Sequence, residues 1–312
     1  MNLNSIKKLY KEGEMDKVEF ISEMKKFHDV LFDYSTNLKD TEIGGVEILD
    51  NKVIFTTRKT NYHSGNCRFT VDIKDPRVVP IEAFNFGCYE LEDSKMMFDL
   101  MKHQNIIFDI GANIGWYSIH IANTFEESTI YAFEPIPETF EKLIKNHELN
   151  RVSNLFIENV ALSNFKGELN FFYSPYQTGA ASSKNILGSE DITKLTCPTT
   201  SVDMYIKDKN IKGLDFIKCD VEGAEYLVLQ GAAESIKEYK PIVFAEMLRK
   251  WSKKFDYHPN DIVSFMKDMG YGCFVNRVSK LVQIHEIDEY TIETNFFFLN
   301  LDKHKYIVEN YK

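Results

Sequence analysis

The stretch Asn105-Ile-Ile-Phe-Asp-Ile-Gly-Ala-Asn-Ile-Gly-Trp-Tyr117 decides the fold of this chain. Its first part, Ile106 to Ile110, is short, mostly apolar and rich in β-branched and aromatic residues, as is typical of a strand covered on both faces. Gly111 and Gly115 then allow a tight turn that brings the backbone close to a ligand, before helical spacing begins at Trp116. The stretch therefore predicts a strand, a glycine loop and a helix.

A second segment, Ile130-Tyr-Ala-Phe-Glu-Pro135, places an acid at the end of the next predicted strand. Glu134 follows Gly115 by about twenty residues, the separation at which a strand-ending carboxylate meets ribose hydroxyls in nucleotide-binding βαβ units. The two segments together predict a pocket for a nucleoside-containing cofactor.

Charge indicates which cofactor fits this pocket. A dinucleotide needs a glycine at the middle of the loop and a bare helix N-terminus for its pyrophosphate. This chain has Asn113 at the middle position and Asp109 at the entrance, where an anion would be repelled. S-adenosylmethionine carries no phosphate, and its ammonium and sulfonium cations are attracted by Asp109. The pattern favours this methyl donor over a nicotinamide dinucleotide.

Two further segments, Phe216-Ile-Lys-Cys-Asp-Val-Glu-Gly-Ala-Glu225 and Ile242-Val-Phe-Ala-Glu246, complete the pattern. With them the chain resembles FkbM-type S-adenosylmethionine-dependent methyltransferases. Members of this family show the glycine loop, the Ala-Phe-Glu-Pro strand end, the Lys-x-Asp-x-Glu-Gly-Ala-Glu segment and a later strand ending in Glu, in that order. The resemblance covers residues 85 to 300. It implies the Rossmann-like class I methyltransferase fold, with a mostly parallel seven-stranded sheet whose last strand is antiparallel.

The alternation of strand-like and helix-like segments after residue 105 predicts an α/β sandwich. The predicted strands are Ile106 to Ile110, Thr129 to Glu134, Leu155 to Ala161, Leu214 to Val221, Ile242 to Met247, Tyr271 to Val275 and Asn295 to Leu299. An additional β segment, Glu168 to Tyr173, is inserted after the third of them. Residues 85–312 are predicted to form the methyltransferase domain.

Residues 1–84 are predicted to form an N-terminal appendage. Apolar residues from Ser5 to Phe32 recur at helical spacing with an interruption near Gly13, which predicts two short amphipathic helices. The segment Val46 to Phe55 alternates around Asp50-Asn51, which predicts a β-hairpin. The sequence is compatible with three roles for the appendage, namely a lid, a surface for homo-oligomer formation and a cap that selects substrate.

Ligands of open α/β sheets bind outside the carboxyl ends of the strands. We expect Asp109 and Gly111 to face the methionine moiety and Glu134 to accept hydrogen bonds from the ribose hydroxyls. The resemblance adds an acid near the methionine group at Glu90 and an adenine cradle at the end of the third strand. The predicted donor-binding residues are Glu90, Asp109, Gly111, Asn113, Gly115, Glu134, Pro135, Asn159, Val160 and Ala161.

Methyl transfer is an in-line displacement at a sulfonium carbon, so the protein mainly aligns the reactants. A hydroxyl acceptor must also lose a proton. Asp220 ends the fourth predicted strand and is the first candidate for the general base. Glu222 is the second, pointing the same way if the extended conformation persists. Glu246 ends the fifth strand at the same crevice and completes the predicted catalytic set.

A structural interpretation of these acids stays open beside the catalytic one. In it Lys218 neutralises Asp220, and Glu225 caps the following helix near its positive end. Two histidines are also candidates for the general base. We expect His120, inside the first core helix, to be structural, and we keep His258, which precedes a proline in a loop, as a lesser candidate.

Composition excludes several classes of function. The net charge of -10 and the pI near 5.4 argue against a nucleic-acid partner, which would require a basic face. The five cysteines form no Cys-x-x-Cys pair, which argues against a disulfide framework or zinc site. No cluster of histidine, aspartate and glutamate has a spacing that is typical of a metal site, so no metal is predicted. The absence of an apolar secretory or membrane-spanning segment predicts a cytoplasmic protein without membrane insertion.

Members of the resembling family methylate hydroxyls on polyketides and on sugars of bacterial surface glycans. The composition, rich in Lys, Asn and Ile, fits a low-GC bacterial coding bias. The predicted function is therefore O-methylation of a sugar, a surface glycan or a related small molecule. Two alternatives remain open: a nicotinamide-dependent oxidoreductase or sugar-nucleotide epimerase, and a non-catalytic donor-binding module partnered through its N-terminal helices.

Overall fold

Fourteen strands are present in the computed structural model, which describes residues 1–72, 74–174, 176–186 and 192–312. They are β1 Ile43–Leu49, β2 Lys52–Thr57, β3 Arg68–Thr70, β4 Ile106–Ile110, β5 Thr129–Phe133, β6 Leu155–Glu158, β7 Ala161–Leu162, β8 Gly167–Tyr173, β9 Thr193–Thr200, β10 Phe216–Cys219, β11 Ile242–Glu246, β12 Tyr271–Arg277, β13 Lys280–Ile284 and β14 Asn295–Asn300.

α-Helices connect β4 to β5, β5 to β6, β9 to β10, β10 to β11 and β11 to β12. The α-helices are α1 Leu3–Lys11, α2 Lys17–Asn37, α3 Val79–Phe86, α4 Leu91–Met101, α5 Trp116–Thr124, α6 Pro137–Asn150, α7 Val202–Lys209, α8 Glu225–Gln230, α9 Ala233–Tyr239, α10 Arg249–Ser252, α11 Pro259–Asp268 and α12 Lys305–Asn310. Single 3-10 turns occur at Leu38–Asp40, Thr178–Ala180 and Lys253–Phe255.

The central sheet has the order β13-β12-β14-β11-β10-β4-β5-β6 within the described ranges. Strands β6, β5, β4, β10 and β11 run parallel, whereas β14 is antiparallel to both β11 and β12. Ile107 packs into the core on one face of the sheet and Phe108 into the core on the other. The predicted α/β fold with an antiparallel last strand is confirmed.

The predicted strand count was too low by β13, which pairs with β12 at the edge of the sheet. Val278 and Ser279 connect the two strands, and both have positive φ, 54° and 61°. Such values suit a two-residue type I′ turn, which glycine and asparagine normally signal. Because neither residue is typical of that turn, the sequence pattern did not reveal the hairpin.

The third predicted strand is also shorter than expected. Strand β6 ends at Glu158, and the following β7 leaves the central sheet to pair with β9. Strands β7, β9 and β8 form a separate three-stranded sheet, which contains the predicted insertion Glu168 to Tyr173. This insertion lies next to the carboxyl ends of β4 and β5 and supplies part of the pocket wall.

The N-terminal residues contain the two predicted helices and the predicted hairpin, β1 and β2, to which β3 adds a third strand. Helix α2 is longer than predicted, with 21 residues, and none of them is buried. By contrast Ile43, Phe55 and Phe69 are buried in the same core cluster as Ile107 and Trp116. The three-stranded N-terminal sheet therefore packs against α5 and α6, which cover one face of the central sheet. The division at residue 84 stays a prediction.

No helix among the described residues combines the length and the apolar character that crossing a membrane requires.

Candidate active site

A cavity of about 590 Å³ opens outside the carboxyl ends of β4, β5, β10 and β11. This is where ligands of open α/β sheets bind. The predicted residues that line it are Glu90, Gly111, Asn113, Glu134, Pro135, Val160, Ala161, Asp220, Glu222 and Glu246. The structure thus brings most of the predicted donor-binding set and the whole predicted catalytic set to one cavity. Three other predicted residues, Asp109, Gly115 and Asn159, lie behind its wall.

The glycine loop is fixed by close backbone packing. Gly111 has φ +82°, and a Cβ atom there would lie 1.8 Å from the carbonyl oxygen of Asp220. Gly115 has φ +87°, and a Cβ atom there would lie 2.4 Å from Cδ1 of Leu143. Gly111 therefore requires glycine for conformation and for space, whereas Gly115 requires it for conformation, since the Leu143 side chain can shift. Gly111 also brings the loop against the end of β10. The two halves of the cavity, one formed by the glycine loop and β5 and the other by the ends of β10 and β11, therefore share a backbone contact.

Glu134 is buried at the end of β5, facing the glycine loop. The Asn113 N–H donates to its Oε2 at 3.0 Å, and the Ile136 N–H donates to its Oε1 at 2.9 Å. Burial raises the pKa of Glu134 to about 7, although the two amides act in the opposite direction. Each carboxylate oxygen keeps lone-pair capacity for a further donor, such as a ribose hydroxyl.

Asp109 lies directly beneath the cavity and is fully buried. The Ser118 hydroxyl donates to its Oδ2 at 2.5 Å, and Lys218 Nζ lies 3.4 Å from its Oδ1. Oδ1 itself has no hydrogen-bond partner among the described residues, and neither has the buried Oδ1 of Asn113. These are acceptor atoms, which suits a ligand that brings N–H or O–H donors.

Asn159 supports the turn after β5, which forms part of the cavity wall. Its Nδ2 donates to the carbonyl oxygens of Glu134, at 2.8 Å, and Pro135, at 3.1 Å. Val160 and Ala161 follow it and line the cavity. The side chain of Asn159 therefore holds the turn after β5, whereas its neighbours face the ligand space.

Glu90 reaches the cavity from the segment before α4. Its backbone is left-handed, with φ 47° and ψ 46°, and the Tyr117 hydroxyl donates to its Oε2 at 2.8 Å. Desolvation and the nearby charge of Asp220 raise the pKa of Glu90. Its position beside Tyr117 places it at the junction of the glycine-loop helix and the β10 acids.

The carboxylates of Asp220, Glu222 and Glu246 lie within 4.8 Å of one another. Burial, followed by the charges of Asp220 and Glu222, raises the pKa of Glu246 to about 10. Burial and Asp220 likewise raise the pKa of Glu222 to about 8. Both glutamates therefore hold a proton to higher pH than a free glutamate does, and in that form each carboxyl group can donate a hydrogen bond.

A group of this kind has the oxygen ligands that hard divalent cations prefer. Sequence spacing did not show that the three carboxylates lie close enough to share a cation, because Glu246 comes from the next strand of the sheet and Glu222 from a turn. Strand β10 ends at Cys219 and Glu222 has φ 52°, so the extended conformation does not persist. The prediction of no metal stays a prediction.

Lys218 is buried between the two halves of the cavity. Its Nζ lies 3.4 Å from Asp109 Oδ1 and 3.4 Å from Asp220 Oδ2, and 5.3 Å from the centre of the Tyr117 ring. The ion pair with Asp220 agrees with the structural interpretation of this strand end. That interpretation leaves Glu222 and Glu246 without an explanation.

Glu225 agrees with a structural role. It is buried, and its Oε1 accepts from the N–H groups of Val221 at 3.1 Å and Gly223 at 3.0 Å. His120 is also structural, since it is buried and its pKa is lowered to about 3 by desolvation. His258 caps α11 by accepting from the Asn260 N–H at 3.2 Å, and it does not line the cavity.

The far wall of the cavity was not anticipated from the sequence. Asp75 is buried, and its Oδ2 accepts from the N–H and the hydroxyl of Thr178, at 2.9 and 2.6 Å. The Ser182 hydroxyl donates to the Glu222 carbonyl oxygen at 2.8 Å. The insertion between β8 and β9 is thereby joined to the N-terminal region and to the acidic group. No local pattern announces contacts between segments so distant in sequence.

Comparison with known proteins places this cavity in a family context. The model of the "Methyltransferase FkbM domain" matches residues 109–273, which span β4 to β12 and include the predicted catalytic acids. Methyltransferase 1 of Beauveria bassiana is 33% identical over 167 residues, covering 48% of this chain and 64% of that protein.

Two more distant relatives carry substrates in their names. The hexuronic acid methyltransferase AglP of Haloferax volcanii is 26% identical over 150 residues, covering 48% of this chain and 59% of that protein. The 31-O-demethyl-FK506 methyltransferase FkbM of Streptomyces tacrolimicus is 25% identical over 158 residues, covering 42% and 60%. The chain thus spans 59 to 64% of the length of these relatives.

Proposed function

The chain belongs to the FkbM methyltransferase family, and from this premise we propose that it transfers a methyl group to a hydroxyl of a sugar, surface glycan or related small molecule. Methyltransferases of this family use S-adenosylmethionine, so the predicted cofactor is confirmed. The observation that carries the proposal is the acidic group Asp220, Glu222 and Glu246 at the donor cavity.

The residues of the cavity suit this donor. Glu134 offers two carboxylate oxygens to vicinal hydroxyls, and the unpartnered Oδ1 of Asn113 suits a ligand with N–H donors. Acids also surround the place where a cation would be bound, which favours a positively charged ligand. Bound there, the donor supplies an electrophilic methyl carbon on a sulfonium.

Asp220 is proposed as the general base. Its Oδ2 lies 3.4 Å from Lys218 Nζ, while burial and Asp220 raise the pKa values of Glu222 and Glu246. In its protonated form Glu246 donates a hydrogen bond to an acceptor oxygen. The acceptor hydroxyl then gives its proton to Asp220 as its oxygen forms the bond to the methyl carbon, and the bonding pair of the broken carbon–sulfur bond stays on sulfur.

A sugar hydroxyl is the acceptor that we favour. Neighbouring sugar hydroxyls donate and accept hydrogen bonds, which matches a wall of closely spaced carboxyl groups. The hexuronic acid methyltransferase among the relatives supports this class, and the FK506 methyltransferase supports transfer to oxygen. The absence of a nucleic-acid partner, the bacterial origin and homo-oligomer formation stay predictions. The free state of all five cysteines supports a reducing, cytoplasmic compartment.

The test is a comparison of Asp220→Asn with wild type in a methyl-transfer assay on candidate glycans. We expect turnover to fall by about 100-fold or more, because a positioned base contributes on this scale. Binding of S-adenosylhomocysteine, measured by calorimetry, should change by less than about threefold, since donor contacts remain. Asp208→Asn, an exposed acid paired with Lys166, is the matched control and should leave both quantities unchanged.

The same calorimetry addresses the alternatives. Tight binding of NAD together with indifference to S-adenosylhomocysteine would support the oxidoreductase or epimerase and overturn the proposal. A wild-type protein that binds the donor but methylates no glycan or small hydroxyl acceptor would support the non-catalytic donor-binding module. In that case Asp220→Asn would also have no effect.

A further inference from the structure

Glu42 is a buried carboxylate at the junction between the N-terminal sheet and the cavity. Its Oε1 accepts hydrogen bonds from the Tyr62 hydroxyl at 2.7 Å and from His63 Nε2 at 2.6 Å. Burial alone would raise the pKa of Glu42, but the hydrogen bonds from His63 and Tyr62 outweigh burial and lower it. The side chain is therefore an ionised group fixed in one orientation.

Two further polar atoms of Glu42 hold the segment that leads into Glu90. Its Oε2 accepts from the Tyr89 N–H at 3.3 Å, and its own N–H donates to the Gly87 carbonyl oxygen at 2.6 Å. Glu42 thereby binds the backbone carbonyl of Gly87 and the backbone amide of Tyr89, on either side of Cys88. Backbone contacts of this kind fix the course of the chain whatever side chains are present.

These two hydrogen bonds are important because the next residue, Glu90, has a backbone conformation that non-glycine residues rarely adopt. Its φ of 47° is left-handed, and such a conformation persists only where the surroundings hold it. From the other side, the Ser94 N–H donates to the Glu90 carbonyl oxygen at 2.8 Å and the Ser94 hydroxyl to the Tyr89 carbonyl oxygen at 3.1 Å. The segment is thus held between α4 and Glu42.

We propose that Glu42 is a positioning residue for donor binding, which holds Tyr89 and Glu90 so that the Glu90 carboxylate faces the methyl-donor site. This inference rests on the proposed function, because it takes the cavity to be the donor site. It gives the N-terminal region a definite task within the site, distinct from the lid, oligomerisation and substrate-selecting roles. Glu42 itself touches neither donor nor acceptor, and it acts through Glu90.

The test measures the Kd of the full-length protein for S-adenosylhomocysteine, which needs no acceptor. We expect Glu42→Ala to raise Kd by about tenfold, since it releases the Tyr89 amide and frees Glu90 to leave its left-handed conformation. Glu42→Gln keeps the size of the side chain but has one acceptor oxygen in place of two. That oxygen cannot serve both His63 and the Tyr89 N–H, so we expect Kd to rise as in Glu42→Ala. If Glu42→Ala does not fold, Glu42→Asp, shorter by one methylene, replaces it.

A double-mutant cycle separates positioning from a general loss of stability. Glu90→Gln alone should raise Kd, and Glu42→Ala added to Glu90→Gln should raise it no further, because the first residue acts through the second. Thr57→Val is the matched control. It removes another buried hydrogen bond between the N-terminal sheet and the core, that of Thr57 Oγ1 with His120 Nε2 at 3.0 Å, without touching residues 87–90. Its Kd should equal that of wild type.

Three results would overturn the inference while leaving the proposed function intact. They are an unchanged Kd in Glu42→Ala or Glu42→Asp, additive losses in the cycle, and an equal loss in Thr57→Val. Failure of the wild-type protein itself to bind S-adenosylhomocysteine is a different result, which overturns the proposed function and this inference together.

Discussion

The two halves of the cavity hold their acids in opposite ways. On the glycine-loop side, which we propose as the donor half, Glu134 is fixed by two backbone amides, and Asp109 by the Ser118 hydroxyl and Lys218. On the side of β10 and β11, which we propose as the acceptor half, Glu222 and Glu246 are crowded against Asp220, and the pKa values of both glutamates are raised by burial and by that neighbour. We propose that the first arrangement binds the donor and that the second holds and exchanges protons.

The difference suggests a division of labour that mutations should expose. Changes on the donor half should alter donor affinity, and changes on the acceptor half should alter turnover and the response to pH. The Gly111 contact with the Asp220 carbonyl oxygen joins the halves, so a change there should disturb both.

Gly111→Ala should have the largest effect. The added Cβ would lie 1.8 Å from the Asp220 carbonyl oxygen, and alanine is strained at φ +82°. We expect a loss of about 3 kcal/mol or more in the free energy of unfolding and no measurable binding of S-adenosylhomocysteine. Gly45→Ala is the control, since a Cβ atom there meets no atom within 4 Å. A Gly111→Ala protein with wild-type stability and donor affinity would break the connection between the halves.

Glu134→Ala should have the next largest effect, on donor affinity. Losing a carboxylate that accepts from ribose hydroxyls should raise the Kd for S-adenosylhomocysteine by about 100-fold. Glu158→Gln is a suitable control, because Glu158 ends the neighbouring strand β6 but bonds to Tyr205 and Lys209 outside the cavity. Equal effects of Glu134→Ala and of Glu222→Gln on this Kd would contradict the proposed division.

The contrast also explains how much could be predicted from the sequence. The strand, loop and helix from Ile106 to Thr124 are contiguous, and their pattern predicted the position of Gly111. Glu134 was predicted from its place at the end of the next strand, about twenty residues after Gly115. Asp220 and Glu246 were located by their positions at strand ends. Even so, the burial of Asp109 beneath the wall depended on Lys218, which arrives from another strand. A residue's direction at a strand end is set by such neighbours and not by local spacing.

Contacts across long separations were beyond sequence reasoning altogether. Asp75 meets Thr178 across 103 positions, and Glu42 meets Tyr89 across 47. Each is a side chain bonded to a backbone amide, for which many polar residues would serve equally well. Only the packing of the three-stranded N-terminal sheet against the core brings these partners together. The predicted helices and hairpin were therefore correct as elements, while their contribution to the cavity became visible only in the assembled fold.

Glu246→Gln should change how stability depends on pH. The pKa of Glu246 is raised from 4.5 to about 10, so the folded protein holds this proton more tightly than the unfolded chain does. Its contribution to stability is complete below pH 4.5 and is lost as pH rises toward 10. We expect the wild-type free energy of unfolding to fall relative to Glu246→Gln by up to about 5 kcal/mol between pH 5 and pH 9, because a difference of one bound proton changes it by about 1.4 kcal/mol per pH unit. Parallel curves from urea titrations at these pH values would contradict the raised pKa.

Divalent cations should have the smallest effect at neutral pH. Asp220 is already paired with Lys218, and Glu222 and Glu246 must release protons before they can bind a metal. We therefore expect 1 mM EDTA to leave turnover unchanged at pH 7, and 5 mM Mg²⁺ to shift Tm by less than about 1 °C. At pH 9 the glutamates lose protons more readily, so Mg²⁺ should raise Tm further, and Glu246→Gln should abolish that rise. Turnover that EDTA removes and Mg²⁺ restores at pH 7 would instead make the acceptor half a metal site, because a resident cation would then replace Lys218 and the retained protons as the charge that balances these acids.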